Sequence, residues 1–172
     1  MLQLATMFSI GILICSDKGS RGERKDECGD VIRRATSKMD AKVARYEIVP
    51  DEPSVIAATI KRWADKDKLD LILTSGGTGL SPRDHTPEAT LKVIDRLVPG
   101  ISEAIRFESF KKTPRAMLSR GIAGTRSKCL IINLPGSPRA VTECLDVVLP
   151  AIPHGIEILT GKASECARNR DH

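Results

Sequence analysis

Leu71-Ile72-Leu73-Thr74-Ser75-Gly76-Gly77-Thr78-Gly79-Leu80-Ser81-Pro82-Arg83-Asp84-His85-Thr86-Pro87 is the stretch on which the fold turns. The apolar run after Asp70 is short and unbroken, which predicts a buried strand ending near Thr74. Gly76, Gly77 and Gly79 then let the backbone turn tightly and come close to a ligand. Thr86-Pro87 predicts a helix start, a hydroxyl N-cap followed by proline at the first helical position. Strand, glycine turn, polar loop and helix is how α/β proteins gather backbone N–H groups around an anion. The common phosphate fingerprints do not fit. No Lys-Ser/Thr follows at Walker spacing, and Gly77, Gly79 and Pro82 break the dinucleotide pattern. A bare Gly-Gly-x-Gly reads equally as a surface turn. Asp84 favours the anion pocket, because an acid beside phosphates makes chemical sense when a divalent metal lies between them.

Outward from this stretch the chain alternates strands with helices. Phe8–Cys15 predicts the first strand, followed by a polar loop, Ser16–Gly22. Cys28, Val31, Ile32, Ala35 and Met39 recur at helical spacing and predict a helix from about Asp26 to Met39. Ala41–Val49 predicts a second strand, and Val49-Pro50-Asp51-Glu52-Pro53 closes it and opens a helix with Val55, Ile56, Thr59, Ile60 and Trp63 inward. From Pro87 a helix is expected to about Leu97, with Leu91 and Ile94 inward. Pro99-Gly100 interrupts it, Ile101, Ala104, Ile105 and Phe107 mark the next stripe, and Thr113-Pro114 ends that. Lys128–Ile132 predicts a strand entering Asn133-Leu134-Pro135-Gly136-Ser137-Pro138-Arg139, where Ser137-Pro138 repeats the cap-then-proline signal. Val141, Cys144, Leu145 and Val148 mark its helix, and a last helix follows Pro153. No repeat, linker or low-complexity tract divides residues 1–172, which read as one domain with 1–7 and 162–172 loose.

This alternation implies a mainly parallel sheet with helices on both faces. Ligands in such folds bind outside the carboxyl ends of the strands. That rule gathers Ser16–Gly22, Pro50–Pro53, Ser75–Thr86 and Asn133–Arg139 on one rim.

Composition narrows the function. With 172 residues, the chain can bury a core without metal or disulfide staples. Its 27 basic and 22 acidic residues give a net charge of +5, which suits an anionic ligand but does not by itself argue for nucleic acid. Basic residues crowd the segment from Arg106 to Lys128, which reads as a solvated face. Three Phe, one Trp and one Tyr leave little for base stacking, so a nucleic-acid partner is not expected. The five cysteines form no C-x-x-C pair, which points to reduced thiols in a cytoplasmic protein rather than zinc or disulfides. Met1–Cys15 is apolar but lacks a basic leader and is too short to span a membrane, so no membrane association is expected.

Asp51 and Asp84 each read, alone, as a helix-start or turn aspartate. Together on one rim with a glycine anion pocket they suit Mg²⁺, which takes carboxylate oxygens while phosphates and waters complete its shell. No Ser/His/Asp or Cys/His arrangement is present to supply a nucleophile. Phosphoryl or nucleotidyl transfer needs none when the attacking group is already an ionised phosphate, because positioning and electrostatics then dominate. Asn133 offers a donor and an acceptor for a second reactant.

Thr74–Gly79 followed by Pro82-Arg83-Asp84-His85-Thr86-Pro87-Glu88-Ala89 resembles the signature of the molybdenum-cofactor proteins, which include the bacterial molybdopterin adenylyltransferases and the G domain of gephyrin. Ser16-Asp17-Lys18, Val49-Pro50-Asp51-Glu52, Gly124-Thr125-Arg126 and Ile132-Asn133-Leu134-Pro135-Gly136 agree in order along the chain. The resemblance implies a homotrimeric three-layer αβα sandwich, of molybdopterin-binding-domain type, that adenylylates molybdopterin with Mg-ATP and releases pyrophosphate. It also implies a downstream metal-insertion partner. By motif position, Asp51 and Asp84 carry over as catalytic, Mg²⁺-linked acids. Ser16, Asp17, Ser75, Gly76, Gly77, Thr78 and Gly79 carry over as phosphate and pterin contacts, with Asn133, Pro135, Gly136 and Ser137 as the second ligand loop. Ser109 and Ser119 carry over as pterin contacts. A non-catalytic pterin-binding or scaffold protein of the same family is the alternative.

Overall fold

In a computed structural model of the chain, residues 7–161 are described, and the expectations for 1–6 and 162–172 lie outside them. The elements run β1 (Phe8–Cys15), α1 (Asp17–Ser20), α2 (Cys28–Thr36), β2 (Ala41–Val49), α3 (Pro53–Asp65), β3 (Leu71–Ser75), α4 (Thr86–Leu91), β4 (Arg96–Leu97), α5 (Pro99–Phe110), a 3₁₀ turn (Pro114–Leu118), β5 (Ala123–Arg126), β6 (Cys129–Leu134), α6 (Pro138–Val148) and α7 (Ile152–Thr160). The six strands form one sheet in the order β2-β1-β3-β6-β5-β4. The pairs β2/β1, β1/β3 and β3/β6 are parallel, and β5 runs antiparallel to both its neighbours.

All residues of β3 and β6 are buried, as a central parallel strand covered on both faces requires. One core packs Ile10, Ile12, Leu71, Leu73 and Ile132 against α2, α6 and α7. The other packs Leu13, Ile72 and Ile131 against Ile56, Ile60 and Trp63 of α3 and Ala89 of α4. The result is the mainly parallel three-layer αβα sandwich expected from sequence. From β1 the chain crosses to β2 on one side and later returns to β3 on the other. Right-handed crossovers in opposite directions put α2 and α3 on opposite faces, and a crevice opens between the carboxyl ends of β1 and β3.

Several expectations need correction. The helix expected from Asp26 to Met39 is only Cys28–Thr36, and the loop after β1 contains one helical turn, Asp17–Ser20. The helix expected from Pro87 to Leu97 ends at Leu91, which is 55% exposed rather than inward. Backbone pairing across the sheet ends it: Asp95 donates to Thr125 O and Val98 to Ala123 O, drawing Arg96-Leu97 into an edge strand. Phe107 and Val55 point outward at 66% and 37% exposure. The strand expected to stop at Ile132 continues to Leu134, and Thr86 lies inside α4, whose N-cap position is His85. The described cysteines, 15, 28, 129 and 144, are buried and unpaired. Burial pushes the Cys15 thiol up to about 12, far from a reactive thiolate. No helix among the described residues is long and apolar enough to cross a membrane.

Gly11 shows how tightly the α3 face is packed. A Cβ there would lie 2.6 Å from Trp63 Cε3 and 2.7 Å from Leu69 Cδ1, and the indole is fully buried. Gly11→Ala is therefore expected to destabilise the protein by about 1–3 kcal/mol in denaturant unfolding, the usual range for overpacking.

Candidate active site

The loops gathered on the rim are tied to one another. Asp17 N–H donates to Asp51 Oδ2 at 2.9 Å, and Asp51 N–H donates to Asp17 Oδ1 at 3.0 Å. This reciprocal pair joins the loop after β1 to the loop after β2. Arg83, from the loop after β3, donates to both Asp17 carboxylate oxygens at 3.0 Å and to Glu52 Oε1 at 2.8 Å. The loop after β6 is attached through Ser75 Oγ, which donates to Pro135 O at 2.8 Å, and Gly76 N–H, which donates to Leu134 O at 3.2 Å.

Gly76 and Gly77 turn the chain with φ of +99° and +65°. Side chains could not follow: a Cβ on Gly76 would lie 2.3 Å from Cys15 O, and one on Gly77 2.3 Å from Thr86 Oγ1. The acids face the same turn. Asp51 Oδ1 lies 3.3 Å from the Cβ position of Gly77, and Asp84 Oδ2 lies 2.8 Å from that of Gly79.

Charge separates the three aspartates. Hydrogen bonds from Arg83 hold Asp17 below the usual carboxylate range. Burial pushes Asp51 above it, the Asp17 amide opposes this, and the negative charges of Asp17 and Asp84 add to it. Asp17 is thus neutralised by its arginine, while the Asp51 carboxyl feels the negative charges of both Asp17 and Asp84, eased by Arg83. Among the described residues no cluster of three or more His, Cys, Asp or Glu could hold a metal. A cation here would have two carboxylates and would draw its other ligands from phosphate and water, the coordination Mg²⁺ accepts. The donor set fits that ion.

Two cavities share the rim. One, of about 220 Å³, is lined by Ser16, Asp51, Ser75, Gly77, Asp84 and Gly136, together with Arg24 and Lys25. The other, of about 290 Å³, is lined by Thr78, Gly79, Ser109, Ser119, Asn133 and Pro135. Consecutive residues of the two loops, Gly77/Thr78 and Pro135/Gly136, face different cavities, so these loops form the partition between them.

Several polar side chains expected at the site are engaged within the protein. Ser16 Oγ accepts from Gly19 N–H at 3.0 Å and Ser137 Oγ from Ala140 N–H at 3.4 Å, each capping a helix. The Asn133 amide donates to Thr74 Oγ1 at 2.9 Å and Thr90 Oγ1 at 3.0 Å and accepts from Ile122 N–H at 3.2 Å. Asn133 therefore braces the wall of the second cavity. Two arginines at the site were not singled out by the sequence reading. Arg83 and Arg120 meet partners 66 and 41 residues away, a separation that leaves no local pattern.

A family model described as "Probable molybdopterin binding domain" matches residues 11–154. The molybdopterin adenylyltransferase of Helicobacter pylori (strain J99) is 44% identical over 154 residues, covering 88% of each chain. Gephyrin from Dictyostelium discoideum is 41% identical across 95% of this chain, which spans 24% of that protein. Among solved structures, the molybdopterin biosynthesis enzyme MoaB of Thermus thermophilus has a TM-score of 0.86 at 54% identity, covering 90% of this chain and 98% of the other. By these matches the chain belongs to the molybdopterin-binding domain family of molybdenum cofactor biosynthesis.

Proposed function

We propose that the protein is a molybdopterin adenylyltransferase, transferring AMP from Mg-ATP to the terminal phosphate of molybdopterin. The observation that carries this reading is the partition: a glycine turn facing two acids, with a cavity on either flank. The polar cavity containing Asp51 and Asp84 suits the triphosphate. The cavity with Ile105, Leu118 and Ala116 in its lining, together with Ser109 and Ser119, suits a flat ring with polar edges, whose phosphate would lie at the partition against Thr78 and Gly79. A phosphate oxygen of molybdopterin attacks the α-phosphorus of ATP, the α–β bridging P–O bond breaks, and pyrophosphate leaves with the electron pair. Magnesium, when bound, neutralises charge on the phosphates. Asp51 and Asp84 would hold it, the Gly76–Gly79 turn orients phosphate, and the partition brings the reactants together without a protein nucleophile.

The test is pyrophosphate release. Purified protein given Mg-ATP and molybdopterin should release one pyrophosphate per adenylylated pterin, and omission of Mg²⁺ should abolish release. Molybdopterin binding without any release would show a binding or scaffold protein instead.

A further inference from the structure

We infer that Arg120 is a positioning residue that aims the amides of the glycine loop at substrate phosphate. The inference rests on the phosphoryl-transfer reading above. In a trans peptide the C=O of one residue and the N–H of the next point in opposite directions. Fixing successive carbonyls therefore fixes the amides that follow them. Gly77 O accepts from Thr86 N–H at 3.1 Å and Thr78 O from Arg120 N–H at 2.9 Å. Gly79 O accepts from Arg120 Nε at 2.7 Å. The amides of Thr78, Gly79 and Leu80 are thereby directed away from Thr86 and Arg120, and none donates to a protein acceptor among the described residues.

Thr78 is only 7% exposed. For the Thr78 amide an unpaired state is costly, and an anion taking it accounts for the geometry, whereas Leu80, 65% exposed, can give its amide to water. Arg120 also reaches the far end of the loop. Its guanidinium donates to Asp84 O at 2.6 Å and pairs with Glu88 of α4. One side chain thus holds Gly79 and Asp84 together, fixing the anion donors and the metal-binding acid in one frame. A planar fork can meet both carbonyls at once, whereas a lysine ammonium on its flexible stem cannot hold the same geometry.

The experiment is calorimetric titration of the full chain with Mg-pyrophosphate, the reaction's product, alongside thermal unfolding. Arg120→Lys and Arg120→Ala should remain folded and bind Mg-pyrophosphate about 10–100-fold more weakly, the range for a supporting-partner loss. Guanidinium ion at non-denaturing concentration should recover part of the affinity of Arg120→Ala and leave the parent protein unchanged. A merely structural arginine would lower Tm without changing the affinity of the folded fraction, and that result would overturn the inference. If Arg120→Ala fails to fold, Arg120→Lys alone decides by the same affinity readout. Absence of Mg-pyrophosphate binding by the parent protein would overturn the phosphoryl-transfer reading as well, which distinguishes the two failures.

Discussion

Replacing Asp84 by asparagine is expected to lower turnover by about 10²–10³-fold, as for loss of one preorganised electrostatic group, while leaving the folded protein at least as stable. Asparagine retains an oxygen to accept the Ser81 N–H now taken by Asp84 Oδ2 at 3.1 Å. The backbone carbonyl held by Arg120 is unchanged by the substitution. What disappears is one negative charge beside Asp51. The folded-state pKa of Asp51 is raised, so its contribution to stability is present at low pH and lost as pH rises through that pKa. At neutral pH the fold bears that penalty, and removing the Asp84 charge lessens it. In magnesium-free buffer at neutral pH, Asp84→Asn should therefore melt at or above the parent Tm, with the difference shrinking on acidification. Added Mg²⁺ should raise the parent Tm more than that of the variant. Pyrophosphate release and thermal unfolding on the same preparations check both halves. A variant whose activity loss merely follows a lower Tm would mark Asp84 as a structural acid.

The parts legible in sequence are those whose signals are local. Leu71–Ser75 and Cys129–Leu134 are buried on both faces, so their apolar runs reveal the strands directly, though not the full length of β6. Ser137-Pro138 does cap α6 as its residues suggest. Ala123-Gly124-Thr125-Arg126 carries no such pattern, and it is a strand because β6 pairs with it through a tight turn. Close packing explains its glycine: a Cβ on Gly124 would lie 2.6 Å from Ile94 Cδ1. Leu91 looks inward on helical spacing alone, yet the helix stops there because Asp95 is claimed by Thr125, far along the chain. The same division holds at the site. Strand-end logic predicts that Asp51 and Asp84 share a rim, and both face the Gly77–Gly79 turn. No rule of spacing distinguishes Arg83 and Arg120 from solvated surface arginines, because their meaning lies in distant carbonyls and carboxylates. Nor does the motif reveal that Gly77 and Thr78 line different cavities, since that depends on the direction in which each peptide is turned.

Gly76→Ala should cause the other large loss, in stability and ligand binding together. Its φ of +99° lies where side-chain-bearing residues are strained, by about 1–3 kcal/mol. The new Cβ would also lie 2.3 Å from Cys15 O. That oxygen belongs to the backbone of β1, the strand paired on both sides by β2 and β3, so it cannot yield as a side-chain tip could. Overpacking of this kind adds about 1–3 kcal/mol. At about 2–4 °C per kcal/mol for a chain of this size, the combined effect is a fall in Tm of roughly 5–20 °C. Relief requires the Gly76 peptide to rotate, which breaks its hydrogen bond to Leu134 O and carries Gly77 and Thr78 out of line. Mg-pyrophosphate affinity should then fall at least about tenfold even where the variant is fully folded, since each 1.4 kcal/mol of lost contact is a factor of ten. Gly22→Ala is the control that isolates the cause. Gly22 also has positive φ, +73°, but its Cβ would meet nothing within 4 Å. That substitution bears backbone strain without collision and should lower Tm by about half as much as Gly76→Ala, with affinity unchanged. Equal effects from the two would show that glycine's conformational freedom alone matters, and that the contact between Gly76 and the end of β1 does not hold the anion pocket in shape.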